Sequence, residues 1–350
     1  QILDIVILIN HIYTNRTIGA IQKRSYQQQM ASSTSYNTAG NREQILDIIT
    51  VLEPEASPLV SMMKKGNATS TFVEWQADKL STPDFSGVNE GEDVSSFKNQ
   101  AEDRARLGNY VQKFRDTFMT SDIQELVNTA GVASEFANAE SKAVRNVKRS
   151  IESAFCSAQD RQAEAGSGTP YKTRGLLKWL GSGGQPSDIP AAYQSVANDT
   201  TGTQTEATFN SVLQELYEAN GMPGGQLTLI AGPSLKQEIS NFSRQLAAAN
   251  GTYVVNQDAE SRKITLTVNL YEGDFGNVAI VPSLFVNRTS GSDTIDGDAG
   301  LLVDPEYVGM HSLKAESATE LEDQGGGRRG FVDVIAGLAC YSPKAHGFFN

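Results

Sequence analysis

The stretch that decides the fold is residues 104–162, which read RARLGNYVQKFRDTFMTSDIQELVNTAGVASEFANAESKAVRNVKRSIESAFCSAQDRQ. Its first part alternates as a strand does, because Tyr110, Phe114 and Phe118 all fall on even positions and share one face. Neither proline nor glycine follows Gly108 in this part. The pattern therefore predicts a strand that runs without interruption toward residue 118.

Two helices are predicted after this strand. Ser121 and Gln124 have the spacing of a capping box, and Gly131 is expected to end this short helix. Ser134 opens a second helix, which is predicted to reach Gln162 and to measure roughly 42 Å over about 28 residues. Such a helix needs a long surface, either inside an ordinary domain or along a flat, extended subunit. Its apolar stripe consists of Phe136, Ala137, Val144, Val147, Ile151, Ala154, Phe155 and Ala158.

The composition indicates a large globular protein. Its 350 residues suffice for two domains, and 39% hydrophobic and 20% charged residues are typical of soluble proteins. A formal net charge of −12 argues against a dedicated nucleic-acid binder, whose surface would be basic. Cys156 and Cys340 are predicted to be buried thiols in a reducing compartment, with no disulfide. No stretch is apolar enough to span a bilayer, so no membrane partner is expected.

The N-terminal segment differs from the rest of the chain. Residues 1–29 are rich in Ile, Asn, Tyr and Gln, and Met30 with the small residues after it resembles a translation start. We hypothesise that residues 1–29 are not part of the mature folded protein. Residues 31–41 are small and polar and predict a flexible arm, and residues 44–52 predict a short helix that ends before Pro54.

A long hairpin is predicted over residues 68–118. Residues 71–77 alternate as its first strand, and the stretch of residues 104–118 supplies the second. The connection of residues 78–103 carries seven acidic and only two basic residues, and a connection this long is usually functional or disordered. A lone two-stranded arm is marginally stable. Its aromatic side chains therefore need a partner surface, which favours packing between subunits.

The remaining sequence predicts an α+β domain over residues 176–299. Its predicted elements are helices at 205–220 and from Pro233, and strands at 227–230, 263–270, 278–281 and 284–286. Further strands are predicted at 301–303, 307–313 and 331–341. We expect these last strands to pack back on the long helix, which would make its domain discontinuous.

The sequence carries no recognisable catalytic, cofactor-binding or metal-binding pattern. The glycine run at 181–184 lacks the Lys-Ser/Thr pair of a phosphate loop. The glycine run at 325–327, before two arginines, is more typical of a loop than of an anion site. The acidic residues at 293–298 miss the twelve-residue calcium pattern. We therefore predict a protein that is not an enzyme and has no cofactor.

Several short motifs follow one another in a characteristic order. In chain order they are Ile48-Ile49 to Pro54, Ser57-Pro58-Leu59, Glu74-Trp75-Gln76 with Asp78, Arg106-Leu107-Gly108-Asn109-Tyr110 with Phe114-Arg115, Asp274-Phe275-Gly276, Val281-Pro282, Asp304-Pro305-Glu306-Tyr307 and Ala345-His346-Gly347. Together with the arm, the acidic hairpin and the long helix, they resemble the Hong Kong 97 fold of tailed-phage major capsid proteins. The resemblance covers about residues 41–350.

The resemblance implies four parts. They are an N-terminal arm (residues 1–67), an extended hairpin loop that reaches a neighbour (68–118), a peripheral domain with the long spine helix (119–175 and 300–350) and an axial domain (176–299). It implies pentamers and hexamers that form an icosahedral shell around a double-stranded DNA genome. Assembly would take place in the host cytoplasm and the product would be the virion. A scaffolding protein, a portal and decoration proteins are the implied partners.

The hairpin and the resemblance together suggest which residues meet a neighbour or the genome. The predicted interface residues are Phe72, Trp75, Arg104, Arg106, Tyr110, Phe114 and Arg115, with the arginines pairing to acidic residues of a neighbour. The basic residues of the long helix are Lys142, Arg145, Lys148 and Arg149. Two interpretations of this basic cluster stay open, a solvated helix face and a weak inner-surface contact with packaged DNA.

Two other functions are alternatives. A bacterial nanocompartment shell of the same fold would enclose an enzyme cargo instead of a genome. A soluble hydrolase or transferase would need converging acid, base or metal groups, which the sequence does not offer.

Overall fold

The computed structural model describes residues 57–101, 103–127, 133–199, 204–220, 226–249, 257–258, 263–264, 268–291 and 296–350. The chain divides into two units, and all of these residues lie in the larger one, Val51–Asn128 with Val132–Asn350. The predictions for residues 1–56, which include the helix at 44–52, fall outside the described residues. The prediction that Gly131 ends the short helix after Ser121 is wrong, because this helix already ends at Leu126 and Val127 is extended.

Helices and strands alternate irregularly along the described chain. The helices are α1 (Pro58–Met62), α2 (Asp122–Leu126), α3 (Glu135–Phe155), α4 (Leu176–Trp179), α5 (Glu206–Asn220) and α6 (Pro233–Ala249). The strands are β1 (Lys64–Asn67), β2 (Phe72–Ala77), β3 (Ala105–Tyr110), β4 (Gln112–Thr120), β5 (Asn198–Asp199), β6 (Gln226–Ala231), β7 (Gln257–Asp258), β8 (Lys263–Ile264), β9 (Leu270–Gly273), β10 (Gly276–Pro282), β11 (Gly300–Val303), β12 (Val308–Leu321), β13 (Arg328–Cys340) and β14 (Gly347–Phe349).

The first sheet has four strands in the order β1-β12-β13-β4. The central strands β12 and β13 are antiparallel, with Val308 opposite Cys340. Strand β4 pairs antiparallel with β13, and the short β1 runs parallel to β12. Helix α3 packs against β4 and β13. The expected return of the C-terminal strands to the long helix is thus confirmed.

Helix α3 is the long helix of the prediction, but it is shorter than predicted. It begins as expected, because the Ser134 hydroxyl accepts the N–H of Ala137 at 3.3 Å. It ends at Phe155 rather than at Gln162, so its 21 residues span roughly 31 Å. The capping interaction at Ser121 is also confirmed, since its hydroxyl accepts the N–H of Gln124.

The early end of α3 has a local cause that the helical pattern does not reveal. The Ser157 hydroxyl donates to the Ala154 carbonyl at 2.8 Å, which competes with the helical hydrogen bond. A later segment crosses there, and the Gly175 N–H donates to the Gln159 carbonyl at 2.9 Å. A Cβ at Gly175 would lie 2.1 Å from the Ser157 carbonyl oxygen. Only glycine therefore allows this crossing.

Strands β2 and β3 form a separate antiparallel hairpin, with Phe72 opposite Tyr110. The prediction of one uninterrupted strand toward residue 118 is wrong. Before Val111 the chain pairs with β2, and after Val111 it pairs with β13. The Val111 N–H still donates to the Thr71 carbonyl at 2.9 Å, but the next residues enter β4 and pair with β13. Residues 112–118, which we assigned to the arm, therefore lie in the first sheet.

The second sheet has six strands in the order β5-β14-β11-β6-β10-β9. Strands β6 and β10 are parallel, and β11 runs antiparallel to β6. Because β11 and β14 come from residues 300–350, this sheet combines strands from both sides of the predicted boundary at residue 299. The four predicted domain ranges themselves stay a prediction.

Most predicted elements of residues 176–299 are confirmed, namely α5, the start of α6, β6 and β10. The strand predicted at 284–286 is wrong, since the chain forms turns there. The strand predicted at 263–270 appears only as β8 and the first residue of β9, and residues 265–267 lie outside the described part.

Two apolar clusters fill the interior. The first joins Val147 and Phe155 of α3 to Val334 of β13 and to the fully buried Trp179. The second lies between α5, α6 and the six-stranded sheet. Cys156 and Cys340 are both buried free thiols, as predicted.

Candidate assembly surfaces

Trp75 lies in the middle of β2, opposite Leu107 of β3, and packs against its own chain. Its ring is 5.7 Å from that of Trp179 and 5.8 Å from that of Tyr341, centroid to centroid. Phe72 is paired with Tyr110 at 4.6 Å in the same way. Aromatic residues of the same chain therefore contact the rings of Trp75 and Phe72, which the sequence analysis expected to pack against a neighbouring subunit. An additional contact of these residues with another subunit stays a prediction.

Phe114 has to be reassigned. Its side chain is only 6% exposed, and its ring packs edge-on against that of Phe155 at 6.4 Å. The reason is the change of ladder partner at Val111, which places β4 in the first sheet with α3 across one face. Phe114 therefore belongs to the core of the subunit and presents no surface to a neighbour.

The three predicted interface arginines have acidic partners within the chain. Arg104 pairs with Asp78 at 3.0 Å, and Arg106 pairs with Glu74 across the hairpin. Each of these two pairs is well exposed, so each contributes little to stability. Their guanidinium groups remain accessible to solvent, and a contact with another subunit stays a prediction for them.

The third arginine, Arg115, belongs to a charged cluster around Asp333. This carboxyl is 2% exposed and lies 3.8 Å from Arg115, 3.0 Å from Lys113 and 2.5 Å from Lys314. Burial by itself would raise the pKa of Asp333, but hydrogen bonds from Lys314 and Lys113 lower this pKa to about 2. Three cations thus surround one carboxylate, and the local charge is positive.

The four basic residues of the long helix have different surroundings. Lys142 is exposed, and Lys148 lies 3.7 Å from Glu316 of β12. The Arg149 guanidinium lies over the ring of Phe285 at 5.9 Å. Lys148 is therefore engaged with the sheet. The contact of this basic cluster with nucleic acid stays a prediction.

A cleft of about 790 Å³ opens between β4, the C-terminal half of α3 and residues 285–291. Four cations line it, Lys113, Arg115, Arg149 and Arg288, whereas none of the described residues in its lining is acidic. Serine, asparagine and glutamine side chains complete the polar part of the wall. We call this the cationic cleft. The sequence analysis missed it because three distant segments contribute to it, and only Arg115 and Arg149 had been singled out, for other reasons.

The acidic connection, defined as residues 78–101, is the most open part of the described chain. All of its residues are exposed, including large apolar ones that normally avoid water. Phe85 is 99% and Phe97 is 90% exposed. Several exposed large apolar side chains in one segment are typical of a surface that is covered in an assembly.

Neither a metal site nor a membrane helix emerges from the described ranges. No group of three or more His, Cys, Asp or Glu side chains in them is placed to hold a metal ion. None of the helices there has the length and apolar character that crossing a membrane requires.

Comparison with known families decides the classification. The family described as SU10 major capsid protein matches residues 30–350 of the chain. The chain belongs to this family. No curated protein sequence matches this major capsid protein.

The fold of this major capsid protein is similar to solved capsid structures. The cyanophage A-1(L) capsid asymmetric unit gives a TM-score of 0.60 at 11% identity, with 88% of this chain and 95% of that chain covered. The bacteriophage PhiM1 mature capsid gives 0.58 at 10% identity, with 91% and 96% covered. The capsid of the native GTA particle gives 0.56 at 12% identity, with 91% and 97% covered.

These identities support the fold alone, and the α+β Hong Kong 97 fold is confirmed. The family match adds the function of a major capsid protein, a shell subunit of the virion. It does not favour the nanocompartment alternative.

Proposed function

We propose that this major capsid protein assembles as pentamers and hexamers into the icosahedral shell of a tailed phage, and that the shell encloses double-stranded DNA. The observation that carries the proposal is the exposed apolar side chains of the acidic connection, on a chain of the major capsid protein family. Obligate interfaces of roughly 2,000–5,000 Å² would cover such side chains. The shell function is binding between copies and involves no catalysis.

The contact with the genome is proposed to be weak and non-specific. The chain has a formal net charge of −12, so its average field repels DNA. The basic cluster of the long helix, Lys142, Arg145, Lys148 and Arg149, differs from this average, and within it the exposed Lys142 would hold phosphate groups loosely. A strong dependence on salt is expected for any such contact.

Further partners follow from the shell function. A scaffolding protein would set the shell size, a portal would occupy one vertex, and decoration proteins would bind the outer face. Assembly would take place in the host cytoplasm and end in the virion. None of these partners is needed for the test that follows.

The test begins with the full-length protein purified alone. Electron microscopy and sedimentation velocity are expected to show closed shells or capsomers at micromolar concentration. A monodisperse monomer at all concentrations would contradict the proposal. Particles from the natural source are expected to protect DNA from nuclease, whereas protected enzyme cargo without DNA would assign the shell to a nanocompartment.

The DNA contact has its own test. Binding of the purified subunit to double-stranded DNA is measured at increasing salt for wild type and for Lys142→Gln. The substitution should weaken binding and reduce its salt dependence. Lys98→Gln removes the same charge from the acidic connection and serves as the matched control. Absence of binding at low salt would remove this role from the helix.

A further inference from the structure

We infer that Asp188 is a positioning residue for the hairpin of β2 and β3. It holds the hairpin at one angle to the rest of the subunit, and through that angle it keeps the assembled shells uniform in size. The inference rests on the proposed shell function and adds to it a side chain that the sequence analysis did not single out.

Arg161 makes the first contact between this site and the hairpin. Its guanidinium donates to the Gly108 carbonyl of β3 at 2.6 Å. The same group lies over the ring of Phe72 in β2, 5.3 Å from the ring centroid, where the face of the ring attracts a cation. One arginine side chain therefore contacts both strands of the hairpin.

Asp188 joins this arginine to the core of the subunit. Its carboxylate lies 3.2 Å from the guanidinium of Arg161 and accepts two hydrogen bonds from Arg174, at 2.9 and 2.7 Å. Arg174 is only 2% exposed, and its guanidinium lies over the ring of Trp179 at 4.8 Å. A bidentate pair of this kind fixes orientation as well as distance. The position of Arg161 is thus set from a buried side chain.

The charges around Asp188 favour its ionised form. Partial burial by itself would raise the pKa of Asp188, but hydrogen bonds from Arg174 and the charges of Arg174 and Arg161 keep this pKa below its ordinary value of 3.8. The side chain is still 31% exposed, so solvent screens each attraction. The main effect of the carboxylate is therefore geometric, because it sets the distance between two guanidinium groups.

The segment that begins at Asp188 also contacts the far end of the hairpin. The Tyr193 hydroxyl donates to the Asp103 carbonyl, just before β3 begins. Between these two residues, Ile189 is 1% exposed and belongs to the same apolar cluster as Leu107 of β3. Residues 188–193 thus hold the hairpin both near its root and near its far end, which is what fixing an angle requires.

The angle matters because the acidic connection continues from the far end of the hairpin. A strand of six residues such as β2 spans roughly 20 Å. A rotation of about 10° at the root would move the far end by roughly 3 Å, which is most of the distance over which apolar side chains stay in contact. Copies whose hairpins differ by this angle would join with different curvature, and the shells would differ in size.

The test compares Asp188→Asn with the matched control Asp160→Asn. Asp160 also accepts a hydrogen bond from Arg174, at 2.7 Å, but it meets Arg161 only through the backbone N–H, which an asparagine oxygen still accepts. Spin labels at the exposed positions Gln76→Cys and Ala315→Cys report the distance from the hairpin to the first sheet, and the native thiols are buried.

In dilute subunits of Asp188→Asn, the distribution of this distance should broaden by roughly 3 Å, the displacement of the far end. Shells of the same variant should have a wider range of diameters in electron micrographs than wild-type shells. Asp160→Asn should match wild type in both measurements. The double variant Arg161→Gln/Asp188→Asn should broaden the distance distribution no further than Asp188→Asn, since both residues act through one contact.

Three results would overturn the inference. They are a distance distribution as narrow as that of wild type in Asp188→Asn, equal broadening in Asp160→Asn, and uniform shells from subunits whose distance distribution is broad. The distances are measured on free subunits and do not need a shell. Failure of the wild-type protein to form shells would therefore contradict the proposed function, whereas the distances would still decide whether Asp188 positions the hairpin.

Discussion

The buried carboxyl of Glu152 accepts the backbone N–H of Leu59 at 2.8 Å, across 93 positions of sequence. The second carboxyl oxygen accepts the N–H of Val60 at 2.9 Å. One side chain in the last turn of α3 thereby satisfies two donors that the short α1 cannot pair within itself. The contact anchors the last part of the predicted N-terminal arm (residues 1–67) to the long helix.

This contact predicts a pH dependence. Burial raises the pKa of Glu152 above its ordinary value of 4.5, and the two N–H donors only partly oppose this effect. A raised pKa in the folded state means stability that is present below about pH 4 and is lost as the pH rises. Thermal unfolding of dilute subunits from pH 4 to 7 should therefore show wild type losing stability relative to Glu152→Gln. The exposed substitution Glu164→Gln should leave the pH profile unchanged, and a flat difference for Glu152→Gln would contradict the argument.

Asp333 predicts a pH dependence of stability opposite to that of Glu152. Its pKa is lowered from 3.8 to about 2, so its contribution is present above pH 4 and is lost as the pH falls toward 2. At about 1.4 kcal/mol per unit of pKa, the shift corresponds to about 2 kcal/mol. Asp333→Asn should destabilise the subunit by about this amount at pH 7 in denaturant unfolding. The difference from wild type should shrink near pH 2.5.

The control for this prediction is Asp93→Asn, which removes an exposed carboxylate from the acidic connection. It should change the free energy of unfolding by less than about 0.5 kcal/mol. Equal effects of the two substitutions would show that the cations around Asp333 do not stabilise the folded state.

Alanine substitutions of Trp75 and Phe85 should have different effects, the first on the stability of the subunit and the second on the assembly of shells. Trp75→Ala removes ring contacts with Trp179 and Tyr341 and should lower subunit stability by about 2–3 kcal/mol. Phe85→Ala removes a side chain that is 99% exposed. The free energy of unfolding of the subunit should therefore not change, whereas the yield of shells should fall. The measurements are denaturant unfolding and sedimentation. Normal assembly of Phe85→Ala would remove this ring from the interface.

The close crossing at Gly175 predicts a large effect of a single methyl group. Gly175→Ala places a Cβ against the Ser157 carbonyl, and relieving this overlap should cost about 3 kcal/mol. Gly87→Ala is the matched control, because a Cβ there meets nothing within 4 Å. Both variants are compared by thermal unfolding. Unchanged stability of Gly175→Ala would mean that the segments separate without cost.

The sequence predicted what local physics determines. Both serine caps, at Ser121 and Ser134, were correct because a capping hydroxyl acts within three residues of itself. The starts of α5 and α6 and most of β13 were also predicted correctly, whereas β12 continues to Leu321, beyond its predicted end at residue 313. The order of the short motifs identified the Hong Kong 97 fold.

The features that the sequence did not predict depend on contacts between distant segments. Nothing near Val111 marks the change of ladder partner, since that change depends on where β13 lies. The end of α3 depends on the crossing at Gly175. The buried Arg174, which donates to Asp160 and Asp188 at 2.7 Å each, gave no local signal either. The cationic cleft is the same kind of feature, because three segments of ordinary composition create it together.

The change of partner at Val111 has a mechanical consequence. Val111 is buried, its N–H is held by Thr71, and Gly337 of β13 approaches so closely that a Cβ there would lie 3.2 Å from the Val111 Cα. These contacts tie the point where the chain passes from the hairpin into the first sheet to both of them. If another copy contacts the hairpin, a force applied there would pass through Val111 directly into the first sheet.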